Sequence, residues 1–333
     1  MLAAFFDQHR LTQAGTAELS VCLQDMVSQG LDRLPLPASG QTLARWQALA
    51  CVAGHDLGLC KFYEGHTDAL AIMAELGAPP VPAGSTWGMW AAEPPQARVR
   101  VSGAGDPVRL DGLKAWCSGA SVLSHALLTA WDEQGRQQLV AVSLDQPGVQ
   151  VTDEGWCAVG MGATASVEVS FEHALGWRVG APGAYLHRQG FWHGAIGIAA
   201  CWYGAAQALA CYLPRQLAQR EEPHALAHLG AVDAALHGAV QVLRSAASHL
   251  DDHPLADAEH LARRCRASVE ACADTVIHHV GRALGAGPYC KDPGFARLMA
   301  DLPVFLRQSH AERDLATLGQ WAVKHAPVQE WTL

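Results

Sequence analysis

Several things are missing from this sequence, and each absence narrows what it encodes. There is no basic stripe of the kind a nucleic-acid binder carries: 23 basic residues against 32 acidic ones leave a formal net charge of −9. The acidic balance still leaves room for a phosphate-bearing cofactor, because single arginines or helix N-termini bind phosphate on acidic proteins. No two cysteines stand in a C-x-x-C spacing, and the ten are scattered over 333 residues. That spread predicts neither a metal ribbon nor a disulfide scaffold, but reduced, mostly buried thiols in a cytoplasmic protein. Met1–Phe6 is apolar but runs at once into Asp7, His9 and Arg10, with no basic segment ahead of it, so it does not read as an export signal. Uninterrupted apolar stretches such as Ala195–Cys201 fall far short of the ~20 residues that span a membrane. No internal repeat is evident.

What is present is apolar material, 50% of the chain, enough for two or three packed units. Residues 1–85 read as helical. Apolar positions recur at three- and four-residue spacings over Thr42–His55 and His66–Leu76, and Gly77 with Pro79, Pro80 and Pro82 closes the region. Residues 86–180 change texture. Short runs with β-branched residues (Ala97–Val101, Ala126–Trp131, Gln138–Leu144, Ser166–Phe171) are separated by turn-forming clusters at 102–107, 132–135 and 145–148. Strand after strand with hairpin-length turns and no helical spacer predicts an antiparallel barrel or sandwich. Residues 181–333 return to helix, over Phe191–Leu213, Pro223–Leu250, Pro254–Leu284 and Phe295–Gly319. Four long, alanine-rich helices predict an antiparallel bundle with apolar face to spare, and hence a homodimer or homotetramer built through it.

Two segments stand out inside this layout. Leu110, Gly112, Lys114, Trp116 and Ser118 form an L-x-G-x-K-x-W-x-S pattern. About 40 residues later come Gly160, Met161, Thr164, Ser166, Val169 and Phe171, a glycine-rich loop feeding a strictly alternating strand. Taken singly, each is a hairpin or a loop. Together with Ala92-Glu93-Pro94 upstream, and with Arg282–Gly287 and Ala300-Asp301 downstream, the chain resembles the acyl-CoA dehydrogenase family over nearly its whole length. The resemblance implies an α+β fold, with an N-terminal helical domain, a middle antiparallel β-barrel domain and a C-terminal four-helix bundle. It also implies a bound FAD. In the family, a tryptophan at the position of Trp116 packs at the edge of the flavin ring, and a hydroxyl residue at the position of Ser118 bonds the flavin near N5. Ala92 replaces the family's threonine before Glu-Pro, so one side-chain contact is lost and a backbone amide is left to serve. The turn containing Gly285 and Gly287 approaches the diphosphate, often from a neighbouring subunit, and Arg282 in place of the family's glutamine is suited to a phosphate. The reaction implied is α,β-desaturation of an acyl-CoA or acyl-carrier-protein thioester with hydride transfer to flavin, and an electron-transfer flavoprotein as acceptor.

One element of that pattern is not there. The family's base is a glutamate eight residues beyond the aspartate of Arg-Asp, and counting from Asp301 gives Ser309, with His310 beside it. In other members the glutamate stands on the first helix of the C-terminal domain, where this chain has Phe191–Ala195 with His193 but no carboxylate. The candidates for the base are therefore His310, His193 and, one turn further on, Glu312; imidazole has a suitable pKa. The alternatives are a flavin-dependent monooxygenase of the same fold, which lacks the glutamate, and a degenerate, non-catalytic member. The family's Arg-x-x-Phe-Gly element is also missing, and Arg220 is the substitute nearest its place. The pairs His224/His228 and His249/His253 have the i, i+4 spacing of helix-borne metal ligands, but neither has an evident third ligand and no metal is expected.

Overall fold

A computed structural model describes residues 2–9, 11–218, 222–325 and 331–332. The first four helices are α1 (Leu2–Phe6), α2 (Thr16–Ser28), α3 (Thr42–His55) and α4 (Leu57–Glu75). Asp56 separates α3 from α4. It leaves helical geometry, and its carboxylate accepts the Leu59 amide at 2.8 Å as the N-cap of α4. The helix predicted from His66 therefore begins nine residues earlier, and α2 had no counterpart in the periodicity reading.

All seven strands follow: β1 (Trp87–Trp90), β2 (Val99–Ser102), β3 (Val108–Cys117), β4 (His125–Trp131), β5 (Gln137–Ser143), β6 (Val149–Val151) and β7 (Val167–Val179). The ring of pairings β4–β2–β3–β7–β5–β4 closes a barrel, with β1 added beside β4 and β6 beside β7. Its interior is packed with Val99, Val101, Leu110, Leu128, Val140, Val169 and Phe171. The expectation of a purely antiparallel sheet needs one correction. β1 and β2 both run parallel to β4, and the barrel closes between β2 and β4 at a single register pair, Arg100 with Trp131. β4 is reached from both only through long connections, which parallel pairing requires.

After α5 (Ala184–His187) come α6 (Gly190–Ala210), α7 (Tyr212–Leu217), α8 (Pro223–Asp252) and α9 (Glu259–Leu284). The chain then forms α10 (Ala286–Lys291), α11 (Pro293–Leu306) and α12 (Glu312–His325). Caps explain the boundaries. Glu222 with Pro223 starts α8, Asp292 with Pro293 starts α11, and Gly285 at φ +63 stops α9. The single helix predicted over Phe295–Gly319 is two. Ala311 has φ +43, its amide is taken by the Ser309 hydroxyl at 2.8 Å, and the His310 amide is taken by Asp314 at 3.4 Å. Local side-chain bonds thus compete successfully with the helix there.

Helices from both ends share one core, in which Leu19, Trp46 and Leu59 pack with Trp202, Leu209, Val276 and Phe295. α6 packs against α3 and α9. It can do so because Gly204 has no side chain: a Cβ there would lie 2.1 Å from the Ala50 carbonyl oxygen. By length and composition two stretches are apolar enough to cross a membrane, 190–217 and α8. The first is 67% buried within the protein and serves as its central helix; α8 is only 17% buried over its most apolar window. Of the ten cysteines, six are buried, and none is in a disulfide.

Candidate functional site

The end of β3 is where the sequence motifs converge. A register shift between Lys114 and Cys117 makes a bulge, and Trp116 sits on it at φ +57 with its side chain 49% exposed. A bulky residue in the left-handed region costs roughly 1–3 kcal/mol and tends to mark functional positions. Two more non-glycine residues with positive φ, Met161 and Ala165, flank the 3-10 turn Gly162–Thr164 across from it. Three of the seven such residues among those described thus surround Ser118.

Ser118 is held by a line of hydroxyls. Its Oγ lies 2.7 Å from Ser166 Oγ, Ser166 Oγ lies 2.8 Å from Thr164 Oγ1, and Thr164 Oγ1 donates to the Met161 carbonyl at 2.6 Å. Trp90 Nε1 donates to the Ser118 carbonyl at 3.1 Å. The two motifs, about 40 residues apart, are therefore one structure.

Beneath it lies a buried ion pair. The Lys114 ammonium, fully buried, donates to Glu93 Oε1 and to the Thr129 carbonyl, each at 2.8 Å; Trp131 Nε1 and the Thr129 hydroxyl complete the shell of the carboxylate. Burial lowers the lysine pKa, and Glu93 opposes that shift. The pair fixes the Ala91–Pro94 segment to β3 two residues short of Trp116, which places Ala92 beside the exposed indole's strand without a hydroxyl of its own.

A second buried knot docks the barrel onto the helices. Asp301 accepts the Met161 amide, and Gly160 passes so close to α11 that a Cβ would meet the Ala300 carbonyl at 2.1 Å. Arg297 joins Asp301 at 3.4 Å to Asp56 at 3.2 Å, and donates to the Ala14 carbonyl at 2.7 Å. Burial raises the Asp301 pKa against the pull of these donors. Asp301 is thus a docking residue for the loop that carries Thr164 and Ser166.

The candidate bases are placed as follows. His310 opens the turn into α12, is 67% exposed, and has Nδ1 3.9 Å from Asp314. Glu312, in the first turn of α12, is exposed. His193 on α6 is 2% exposed with neither ring nitrogen hydrogen-bonded, and burial lowers its pKa, which keeps it neutral near pH 7. Ser309 is half-buried. Its loop is tied to α6 by Arg266, which donates to the Ala195 carbonyl at 2.7 Å and to the Gln308 carbonyl at 3.2 Å.

Arg282, Gly285 and Gly287 are exposed at the junction of α9 and α10, and neither helix packs substantially on a strand. One chain does not bring them to Trp116. Arg220 lies outside the described residues. Among the described residues no group of three or more His, Cys, Asp or Glu is placed to hold a metal. His228 instead turns its Nδ1 to that of His279 at 2.8 Å.

The sequence reading missed Glu64. On α4, Lys61 and Glu64 are joined at 3.2 Å, and Lys61 lies 6.0 Å from the centre of the Phe305 ring on α11. Burial raises the Glu64 pKa, with Lys61 opposing. Phe62 of the same helix abuts Gly119, the residue after Ser118. The signal was available: charges at positions 61, 64 and 68 of a helix with 14 buried residues do not belong to a solvated face. A cleft of about 930 Å³ between α1, α3, α6 to α8 and α11 contains none of the predicted site residues.

The trace of the chain can be set against known structures. No protein-family model and no curated protein matches the sequence. Methanesulfinate monooxygenase MsuC from Pseudomonas fluorescens is similar, at 20% identity over 97% of this chain and 95% of that one, with a TM-score of 0.79. TdsC from Paenibacillus sp. A11-2, in complex with FMN and indole, matches at 19% identity over 97% and 95%, also with a TM-score of 0.79. The nitrososynthase from Micromonospora carbonacea var. africana matches at 18% identity over 94% of each chain, with a TM-score of 0.75. Likeness at these identities is likeness of fold, and with the barrel set between helices that share one core it establishes that the chain has the acyl-CoA dehydrogenase fold.

Proposed function

We propose that this chain is a flavin-dependent monooxygenase acting on a small sulfur- or nitrogen-containing compound, with the flavin ring against Trp116 and its N5 edge at Ser118. The observation that carries this reading is the lack of a carboxylate at both places where a dehydrogenase of this fold keeps its base. Ser309 occupies one. At the other, His193 is sealed into the protein without a partner, and His310 faces solvent. Proton abstraction from an acyl thioester has no evident agent, whereas oxygen transfer does not need one. The names of the similar structures, a methanesulfinate monooxygenase and an enzyme bound to FMN and indole, point the same way.

The residues present fit a flavin. Trp116 offers an uncovered indole on a rigid bulge, and the Ser118 hydroxyl stands two residues on with its geometry fixed from behind. A reduced flavin bound there would supply the electrons for splitting dioxygen between substrate and water. The chain's own residues, Trp116 and Ser118, orient the ring. Arg282, Gly285 and Gly287 bind the flavin phosphate of a second copy, so the working unit is a homo-oligomer. α8, apolar and largely uncovered, is the face that assembles it.

The test mixes purified protein with photoreduced FMN or FAD, then with labelled dioxygen and a panel of sulfinates, thioethers, indoles and amines. One labelled oxygen atom in a product is expected. Failure across the panel, with bleaching of the oxidised flavin by an acyl-CoA under nitrogen, returns the dehydrogenase reading together with its thioester substrate and electron-transfer partner. Light scattering on the same sample should show no monomer at micromolar concentration.

A further inference from the structure

The cleft between α1, α3, α6 to α8 and α11 exists because its floor has almost no side chains. Ala50 and Gly54 of α3 meet Gly204 and Ala208 of α6 there, and all four residues line it. The hollow they leave, about 930 Å³, is within the roughly 300–1,000 Å³ of pockets that hold small molecules. No strand residue lines it, so it is separate from Trp116 and Ser118. Its charged groups are unevenly committed. Arg297 is spent on Asp56 at 3.2 Å, on Asp301 at 3.4 Å and on the Ala14 carbonyl at 2.7 Å. Those contacts also neutralise two of the three carboxylates in the lining, which leaves Asp7. Arg215 of α7 and Arg244 of α8 line the same cleft and have no hydrogen bond or ion pair among the described residues; Arg215 has only the Tyr212 ring, 6.0 Å away. Two uncommitted cations against one carboxylate depart from the balance of a chain whose formal net charge is −9.

We propose that this cleft is a binding site for an amphipathic organic anion, a molecule with a flat apolar body and one acidic group. Leu43, Tyr203 and Val240, half-buried on α3, α6 and α8, take the body. Arg215 and Arg244 take the acid, and Gln47 and Gln207, exposed in the same lining, add amide donors beside them. Charge complementarity selects the ligand. A neutral body of the same shape gains only burial, whereas an acid also exchanges water for charge-assisted hydrogen bonds. A guanidinium grips a planar carboxylate or a tetrahedral sulfonate or phosphate with the same fork of donors, so the site is defined by the charge and the apolar body together. The inference does not depend on the flavin reading above.

The experiment titrates the full chain with anilinonaphthalene sulfonate, an aromatic anion whose fluorescence rises when it leaves water, and with its uncharged counterpart phenylnaphthylamine. One sulfonate per chain is expected, bound about tenfold or more tightly than the uncharged dye, since a hydrogen bond to a charged group is worth at least that much. Added salt should weaken the sulfonate and leave the uncharged dye unaffected. The double variant Arg215→Met, Arg244→Met should remove the advantage of the charge, and Ala208→Leu, which fills the floor, should weaken both dyes, with circular dichroism confirming the fold of each variant. Both guanidiniums are exposed, so the double variant tests the site whether or not Ala208→Leu folds. Equal affinities for the two dyes, or an advantage that survives loss of both arginines, overturns the proposal. So does the absence of sulfonate binding, and so do several dyes per chain that ignore all three substitutions, which is the behaviour of dye on the uncovered face of α8.

Discussion

The strand end at Trp116 and the turn between α9 and α10 carry the two halves of the motif set, and they are built in opposite ways. Around Trp116 three groups are pinned from beneath: Glu93 by Lys114, the Gly160–Met161 loop by Asp301, and Ser118 by Ser166. Around Arg282, Gly285 and Gly287 the surface is open, and neither α9 nor α10 packs substantially on a strand among the described residues. On the proposed function, the first region aims a ring edge and needs rigid support, while the second grips a phosphate and needs reach and a partner surface.

The contrast can be broken at either end. Lys114→Met should have the largest effect, because it leaves the Glu93 carboxylate buried without its cation. Removing one partner of a buried pair costs roughly 3–5 kcal/mol, and urea denaturation should show the midpoint falling accordingly. Should Lys114→Met unfold at the same urea concentration as the parent, the strand end is not rigidly supported. Arg282→Ala should leave stability untouched and weaken flavin binding roughly tenfold, about 1.4 kcal/mol, with the deficit shrinking as salt is added; fluorescence titration at two ionic strengths reads this.

A smaller effect concerns pH. Burial holds the His193 pKa below its ordinary value of 6.5, so between 6.5 and that lower value the unfolded chain binds a proton that the folded protein refuses. Stability must then fall as pH drops below about 6.5. His55 and His125 are lowered in the same direction. His193→Leu should therefore flatten part of the slope in thermal melts between neutral and mildly acid pH; an unchanged slope would mean that His193 titrates as it does in water. The smallest effect is expected at His310, the residue the sequence reading favoured as base. His310→Ala should change turnover by less than about twofold, against the 10²–10⁴ loss of a true general base, and steady-state rates with an oxygenation substrate decide between them.

Much of this was legible in the sequence because it depends on local order. The alternating strand after Gly160 was readable as a strand, and α3 from its three- and four-residue spacings, whereas the L-x-G-x-K-x-W-x-S run, which reads as a hairpin turning at Asp111-Gly112, is one continuous strand, β3. What was not legible depended on distance. The parallel pairing of β1 and β2 with β4 reflects barrel closure, which no local period records. The break at residues 307–311 escaped notice because the local side-chain bonds that make it, Ser309 to the Ala311 amide and Asp314 to the His310 amide, leave no mark on the hydrophobic period. Asp301 served only as the mark from which to count toward a base, which missed what its carboxylate does where it stands, namely hold the Met161 amide. Glu64 was hidden because a Lys–Glu pair three residues apart on a helix is ordinarily a solvated face.

The shared core of the two helical regions also has a consequence in time. Gly54 of α3 and Gly204 of α6, which meet where the two helices cross, are 150 residues apart in sequence. At ~5–20 residues per second, a ribosome needs on the order of ten seconds or more to make the second after the first. Throughout that interval α3, whose Trp46, Leu49 and Val52 are fully packed in the finished molecule, lacks α6, its main partner. The barrel, whose pairings all lie between residues 87 and 179, can complete itself meanwhile. The nascent chain therefore carries an assembled barrel behind an open apolar helix, and it is at this stage, not in the finished protein, that a chaperone would find something to hold.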